Sequence, residues 1–145
     1  MSLTEHFTLE ELVASQIAAR RRIDNRPSAG IIDNLRRVAG VLEQVRAAVG
    51  RPVTISSGYR CPALNTAVGG ARDSAHLQGL AADINVSGMA PKDLARAIVA
   101  AGIEFDQLIY EGTWVHIGLS ASKPRGQVLT ATFAPGGVVY STGIT

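Results

Sequence analysis

Hydrophobic periodicity changes character once along this chain of 145 residues, at Gly50. Before it, Ile31, Leu35, Val38, Leu42, Val45 and Val49 step by three or four, one face of an amphipathic helix predicted from about Gly30 to Val49, with Gly50 as its stop. Further upstream, Thr8-Leu9-Glu10-Glu11 is a capping-box pattern, Thr8 as N-cap and Glu11 at N3. Leu9, Leu12, Val13 and Ile17 continue at helical spacing until the breaker cluster Asn25-Arg26-Pro27-Ser28.

After Gly50 short strand-like runs take over. Val53 to Ser57 and Ala81 to Val86 read as strands, the second a buried one, with a loop predicted over 58–80. Pro91 opens a helix whose apolar face is Leu94, Ala97, Ile98 and Ala101, ended by Gly102. Phe105 to Tyr110 and Trp114 to Leu119 form two more strands around Glu111-Gly112-Thr113. Val128 to Phe133 and Val138 to Ser141 form a last hairpin around Pro135-Gly136-Gly137. The expected fold is α+β: N-terminal helices packed on a mostly antiparallel sheet. Residues 1–145 make one domain, with a helical part over 1–50 and the sheet over 51–145.

Composition removes several function classes. Fourteen Lys and Arg against twelve Asp and Glu leave a formal charge of +2, too weak to argue for a nucleic-acid partner. The arginines of the first fifty residues are interleaved with Glu5, Glu10, Glu11, Asp24, Asp33 and Glu43, a solvated mixed face. One cysteine, Cys61, rules out an internal disulfide framework and is expected to be a small buried residue. No apolar run approaches the roughly 18 residues of a membrane helix, so no membrane insertion is expected. The N-terminus, MSLTEHFTLEELV, has no basic cluster ahead of an apolar stretch, and no secretory signal is expected.

The chain has three histidines. His76 lies in a Gly-rich loop, His116 in a strand, and Asp83 inside an apolar strand, where a carboxylate is costly unless its charge is paired. Two imidazoles and a carboxylate are a ligand set for catalytic zinc. Singly, each has a plain structural alternative, a capping or core histidine or a salt-bridged aspartate; together they favour a metal. His6 has no companions at ligand spacing and is expected at the surface.

At these residues the chain resembles a known family. Ser74-x-His76-x-x-Gly79-x-Ala81-x-Asp83, followed by Trp114-x-His116, is similar to the zinc D-Ala-D-Ala carboxypeptidase and phage endolysin peptidase family, whose fold is shared with the hedgehog signalling domain. Ser57-Gly58-Tyr59-Arg60, Asn65 and Gly69-Gly70 also match, so the resemblance spans about residues 28 to 145. It implies zinc ligated by His76, Asp83 and His116, and a peptidoglycan peptide as substrate. It also implies that Arg60 holds a substrate carboxylate or carbonyl, a task suited to a guanidinium fork. Ser74 and Gln78 are further candidates for positioning substrate.

Hydrolysis needs a base, and Glu111, five residues before His116, is the candidate, with Asp106 and Glu104 as fallbacks. In a straight strand that offset puts two side chains on opposite faces, so a turn or bulge at Gly112-Thr113 must re-aim Glu111. Many relatives place a carboxylate three residues before the second histidine, where this chain has Thr113. Tyr59 and Trp114 are expected as core or wall residues.

The expectation is therefore a zinc peptidase, carboxypeptidase or endopeptidase, acting as a monomer on peptidoglycan. It is expected to be made in the cytoplasm and to reach the wall after release, as a phage or prophage endolysin does. Its rivals are a zinc-containing module that binds wall peptides without cutting them, and a phage structural component with a wall-degrading domain.

Overall fold

A computed structural model describes residues 1–145. The capping box forms as expected: Thr8 caps α1 (Leu9–Val13), its hydroxyl accepting from the Glu11 N–H while the Glu11 carboxylate accepts from Thr8. The apolar spacing through Ile17 does not continue as one helix. Ala14 and Ser15 are extended, and the Ser15 hydroxyl caps a separate α2 (Gln16–Arg21), because a short polar side chain competes for backbone N–H groups. The long helix α3 (Ala29–Val49) is capped by Ser28 and ends at Gly50 with φ +66°. Leu35, Val38, Ala39, Leu42 and Val45 bury its inner face. Each of the two fully buried leucines contributes about 2 kcal/mol by leaving water.

The strands are β1 (Val53–Ser57), β2 (Ala81–Val86), β3 (Gln107–Tyr110), β4 (Val115–Gly118), β5 (Gln127–Ala134) and β6 (Gly137–Thr142). They make one sheet in the order β1-β2-β4-β3-β5-β6. Every pairing is antiparallel except β3 with β5, which run parallel. A helix, α5 (Pro91–Ala100), crosses from β2 to β3, and β4 then inserts between those two strands. This is an α+β fold with a mostly antiparallel sheet.

The segment 58–80, predicted as loop, contains a helix α4 (Pro62–Ala67) and a 3-10 helix (Ala75–Gln78). Its glycines and Pro62 mask the short apolar pattern of Leu64, which is buried. One face of the sheet, carrying Ala82, Ile84, Leu108, Val115 and Ile117, joins the α3 and α5 side chains in one cluster of buried residues. The opposite face is free of these helices. Its middle is a row of registered partners: Ser57, Asp83, His116, Ile109, Leu129 and Thr142, one from each strand.

Candidate metal centre

Register explains why two residues far apart in sequence meet. Asp83 on β2 is paired with His116 on β4, so the side chains stand side by side on the open face. His116 Nδ1 lies 3.1 Å from Asp83 Oδ1, and His76 Nε2 lies 3.3 Å from the same oxygen. One donor atom from each residue falls within 4.8 Å of the others, so the three form a candidate metal site. The imidazole rings meet edge to face with centroids 5.2 Å apart.

His76 arrives from the 3-10 helix, which Ser74 caps and Gly79 ends at φ +70°. Its ring is almost completely buried, and Nδ1 donates to the Gly58 carbonyl at 2.6 Å. A carbonyl can only accept, so Nδ1 carries the proton and Nε2 keeps a lone pair directed toward Asp83. This outer hydrogen bond fixes the tautomer that a metal-ligating imidazole needs. Burial alone would raise the Asp83 pKa, but the imidazoles of His116 and His76 beside it outweigh that effect and hold the carboxyl below its ordinary range. An anionic oxygen flanked by two imidazole nitrogens in a partly buried pocket fits a divalent cation, zinc above all.

Glu111 lines the same cleft as the three candidate ligands. The chain reverses between β3 and β4, and Glu111 N–H donates to the Trp114 carbonyl at 3.0 Å. The sequence offset of five therefore becomes a cross-strand relation. Glu111 stands two residues beyond Ile109, the partner of His116, and shares its face. Trp114 Nε1 donates to Glu111 Oε2 at 2.9 Å, so Trp114 orients the carboxylate as well as walling the cleft. Burial, followed by the charge of Asp83, pushes the Glu111 pKa up, against smaller opposing effects of His116, the Trp114 N–H and His76.

Arg60 lies where the loop after β1 meets the cleft. Its backbone N–H donates to the His76 carbonyl at 3.0 Å, and Nη2 donates to Ser74 Oγ at 3.4 Å. Nε is buried without a hydrogen-bond partner. Burial lowers its pKa, with Asp83 and Glu111 acting in the other direction. Ser74 lines the cleft and ties the loop, its hydroxyl accepting from both Arg60 and the His76 N–H.

Gln78 is not brought to the cleft. It is exposed, and its carbonyl accepts from Asn34 on α3 at 2.8 Å, because Gly79 turns the chain away immediately after it. Asp106 borders the cleft but is held by Arg125 at 2.8 and 3.0 Å, and Glu104 lines a different hollow beside α3. Tyr59 and Cys61 are buried in the core, and His6 binds Glu43 on the surface. Sequence reasoning missed the Gly58 carbonyl, the Trp114–Glu111 bond, and the aromatic wall of Phe133 and Tyr140. The wall was legible as alternation in the last hairpin; the carbonyl leaves no side-chain signal.

A family model for peptidase M15 matches residues 5–118, most of the chain. The chain belongs to the peptidase M15 family. Members of this family are zinc peptidases, so the family supplies the metal that the donor set of His76, Asp83 and His116 fits. No curated protein matches the chain. The M15 match ends at the last residue of β4, so both halves of the candidate site, from Arg60 to His116, lie inside it. The β5–β6 hairpin lies outside.

Proposed function

We propose that this M15 peptidase hydrolyses peptide bonds in peptidoglycan stem peptides or their cross-links, with zinc held by His76, Asp83 and His116. The observation that carries this reading is the convergence of an oriented, half-buried carboxylate, Glu111, on the cleft that holds the three donor atoms. When bound, zinc acts as a Lewis acid and lowers the pKa of a water to about 7.

Glu111 takes the proton of the attacking water and returns it to the leaving amine. A raised pKa suits that cycle, since it moves the carboxyl toward the working pH, the range in which general acid–base groups are most effective. Trp114 holds one Glu111 oxygen and leaves the other for water. Arg60, with its unpaired buried Nε and its Nη2 on Ser74, receives a carbonyl or carboxylate of the substrate. Ser74 thus acts by placing Arg60 and the His76 loop. Stem peptides lie outside the cell membrane, so the enzyme acts after release, in the manner of an endolysin.

Incubating purified walls, stripped of outer membrane, with the protein tests this, with and without a chelator, followed by mass spectrometry of the soluble peptides. Peptide products that the chelator abolishes and zinc restores are expected. Unchanged peptides with zinc bound would overturn catalysis and leave a binding module.

A further inference from the structure

We infer that this site is built for internal bonds: the substrate chain crosses the sheet face and occupies both sides of the scissile bond. The inference deepens the peptidase reading above and rests on it. The first ground is the position of the candidate ligands within the sheet. Asp83 and His116 stand on the second and third of six strands, so the reacting centre has β1 on one side and β3, β5 and β6 on the other. Five inter-strand steps of about 4.8 Å make a face about 24 Å wide, the length of roughly seven extended residues.

The second ground is the shape of that face. A hollow of about 750 Å³ runs from Ser74 and His76 to Phe133 and Tyr140. Another of about 790 Å³ lies at the β1 edge, walled by Gln16, Ile17, Tyr59 and Leu64. The two share Arg60, Val68 and Asp83, so they meet at the reacting centre. A cleft for terminal residues would close against a cation that captures the chain's carboxylate. Beyond the shared Arg60 and Asp83, the lining of the β1 hollow carries no charge. At the other end Arg125 is committed to Asp106 through both its side chain and its backbone N–H. Arg60 remains, but it stands at the junction, and a terminal carboxylate held there would leave one hollow unused.

The third ground is the wall outside the family match. Phe133 and Tyr140 are 58% and 53% exposed, and Phe133 packs against Trp114 at 6.4 Å between ring centroids. Exposed aromatic side chains along a cleft leave apolar area for a bound chain to cover. The β1 hollow, where Ile17, Ile55 and Leu64 stand beside Ser15, Gln16 and Ser56, accepts small residues on the opposite side of the bond.

The test uses the zinc-loaded full chain and two stem-derived peptides, one with free termini and one extended, acetylated and amidated. Internal cleavage of the blocked peptide is expected, with a kcat/KM at least equal to that of the free one. Release of only the terminal residue from the free peptide, with the blocked one intact, would overturn the inference and leave the peptidase standing. Cleavage of neither would overturn both. Ala19→Trp, on the exposed surface of α2 beside the β1 hollow, and Phe133→Ala are each expected to lower kcat/KM on the blocked peptide about tenfold, without changing zinc affinity or Tm. Unchanged kcat/KM in both variants would overturn the use of the two arms.

Discussion

At the scale of single residues, the site depends on hydrogen bonds that set which atom carries a proton. The Gly58 carbonyl fixes the His76 tautomer, and Trp114 does comparable work for Glu111. Glu111→Gln keeps the shape and the Trp114 contact but cannot take a proton. It is expected to retain zinc and lose about 100-fold or more in kcat, measured on any peptide the parent cleaves. Trp114→Phe tests the positioning role separately. An N–H donated to a carboxylate stabilises its charged form, so removing it moves the Glu111 pKa further up. A base works only when ionised, so the acid limb of the kcat/KM profile should shift to higher pH in Trp114→Phe. A pH profile that only falls in height would show that Trp114 contributes packing alone.

At the scale of elements, the helices and strands whose periodicity is long or bounded by glycine and proline were legible in the sequence. The buried face of α3 and the span of β2 follow from their apolar positions alone, whereas on α5 Leu94 and Ile98 are buried as expected but Ala95 joins them in place of Ala97 and Ala101. What was hidden depended on partners far away. The break at Ala14 and Ser15 is made by a cap, and the parallel β3–β5 pairing is a tertiary choice with no local mark. The three candidate ligands were legible because ionisable residues are conspicuous in apolar or Gly-rich runs; that Glu111 faces them needed the register of a hairpin. The 3-10 helix that presents His76 was read as loop, yet its stop was visible as Gly79. Gly79 has φ +70°, and an added Cβ would meet Ile31 Cγ2 at 2.9 Å and the Ile31 carbonyl oxygen at 3.0 Å. Gly79→Ala is expected to cost about 2 kcal/mol from the left-handed backbone and the crowding against α3. Calorimetry should then record a Tm lower by about 4–8 °C. Zinc affinity should fall as well, because the displaced turn carries His76; an unchanged competition titration would show that the turn is tolerant of the strain.

At the scale of the whole molecule, the candidate ligands connect parts of the chain that pack on different partners. His76 comes from the loop that leans on α3 through Asn34 and Ile31, while Asp83 and His116 come from central strands whose other face packs against the helices. A cation bound to all three joins the loop to the sheet. Such a cation binds the folded chain alone, since the three donors are scattered in the unfolded one, and its binding free energy adds to stability. At a free zinc concentration one hundred times the dissociation constant the gain is about 2.7 kcal/mol. For a chain of this length that amounts to a rise of about 5–11 °C in Tm. Asp83→Asn removes the anionic oxygen on which both imidazoles converge, so its melting temperature should be the same with zinc as with chelator. The comparison separates the metal's contribution from that of the polar contacts, because the loss of Asp83's own hydrogen bonds lowers both of the variant's curves equally. A zinc-dependent rise that persists in Asp83→Asn would place the cation elsewhere on the molecule.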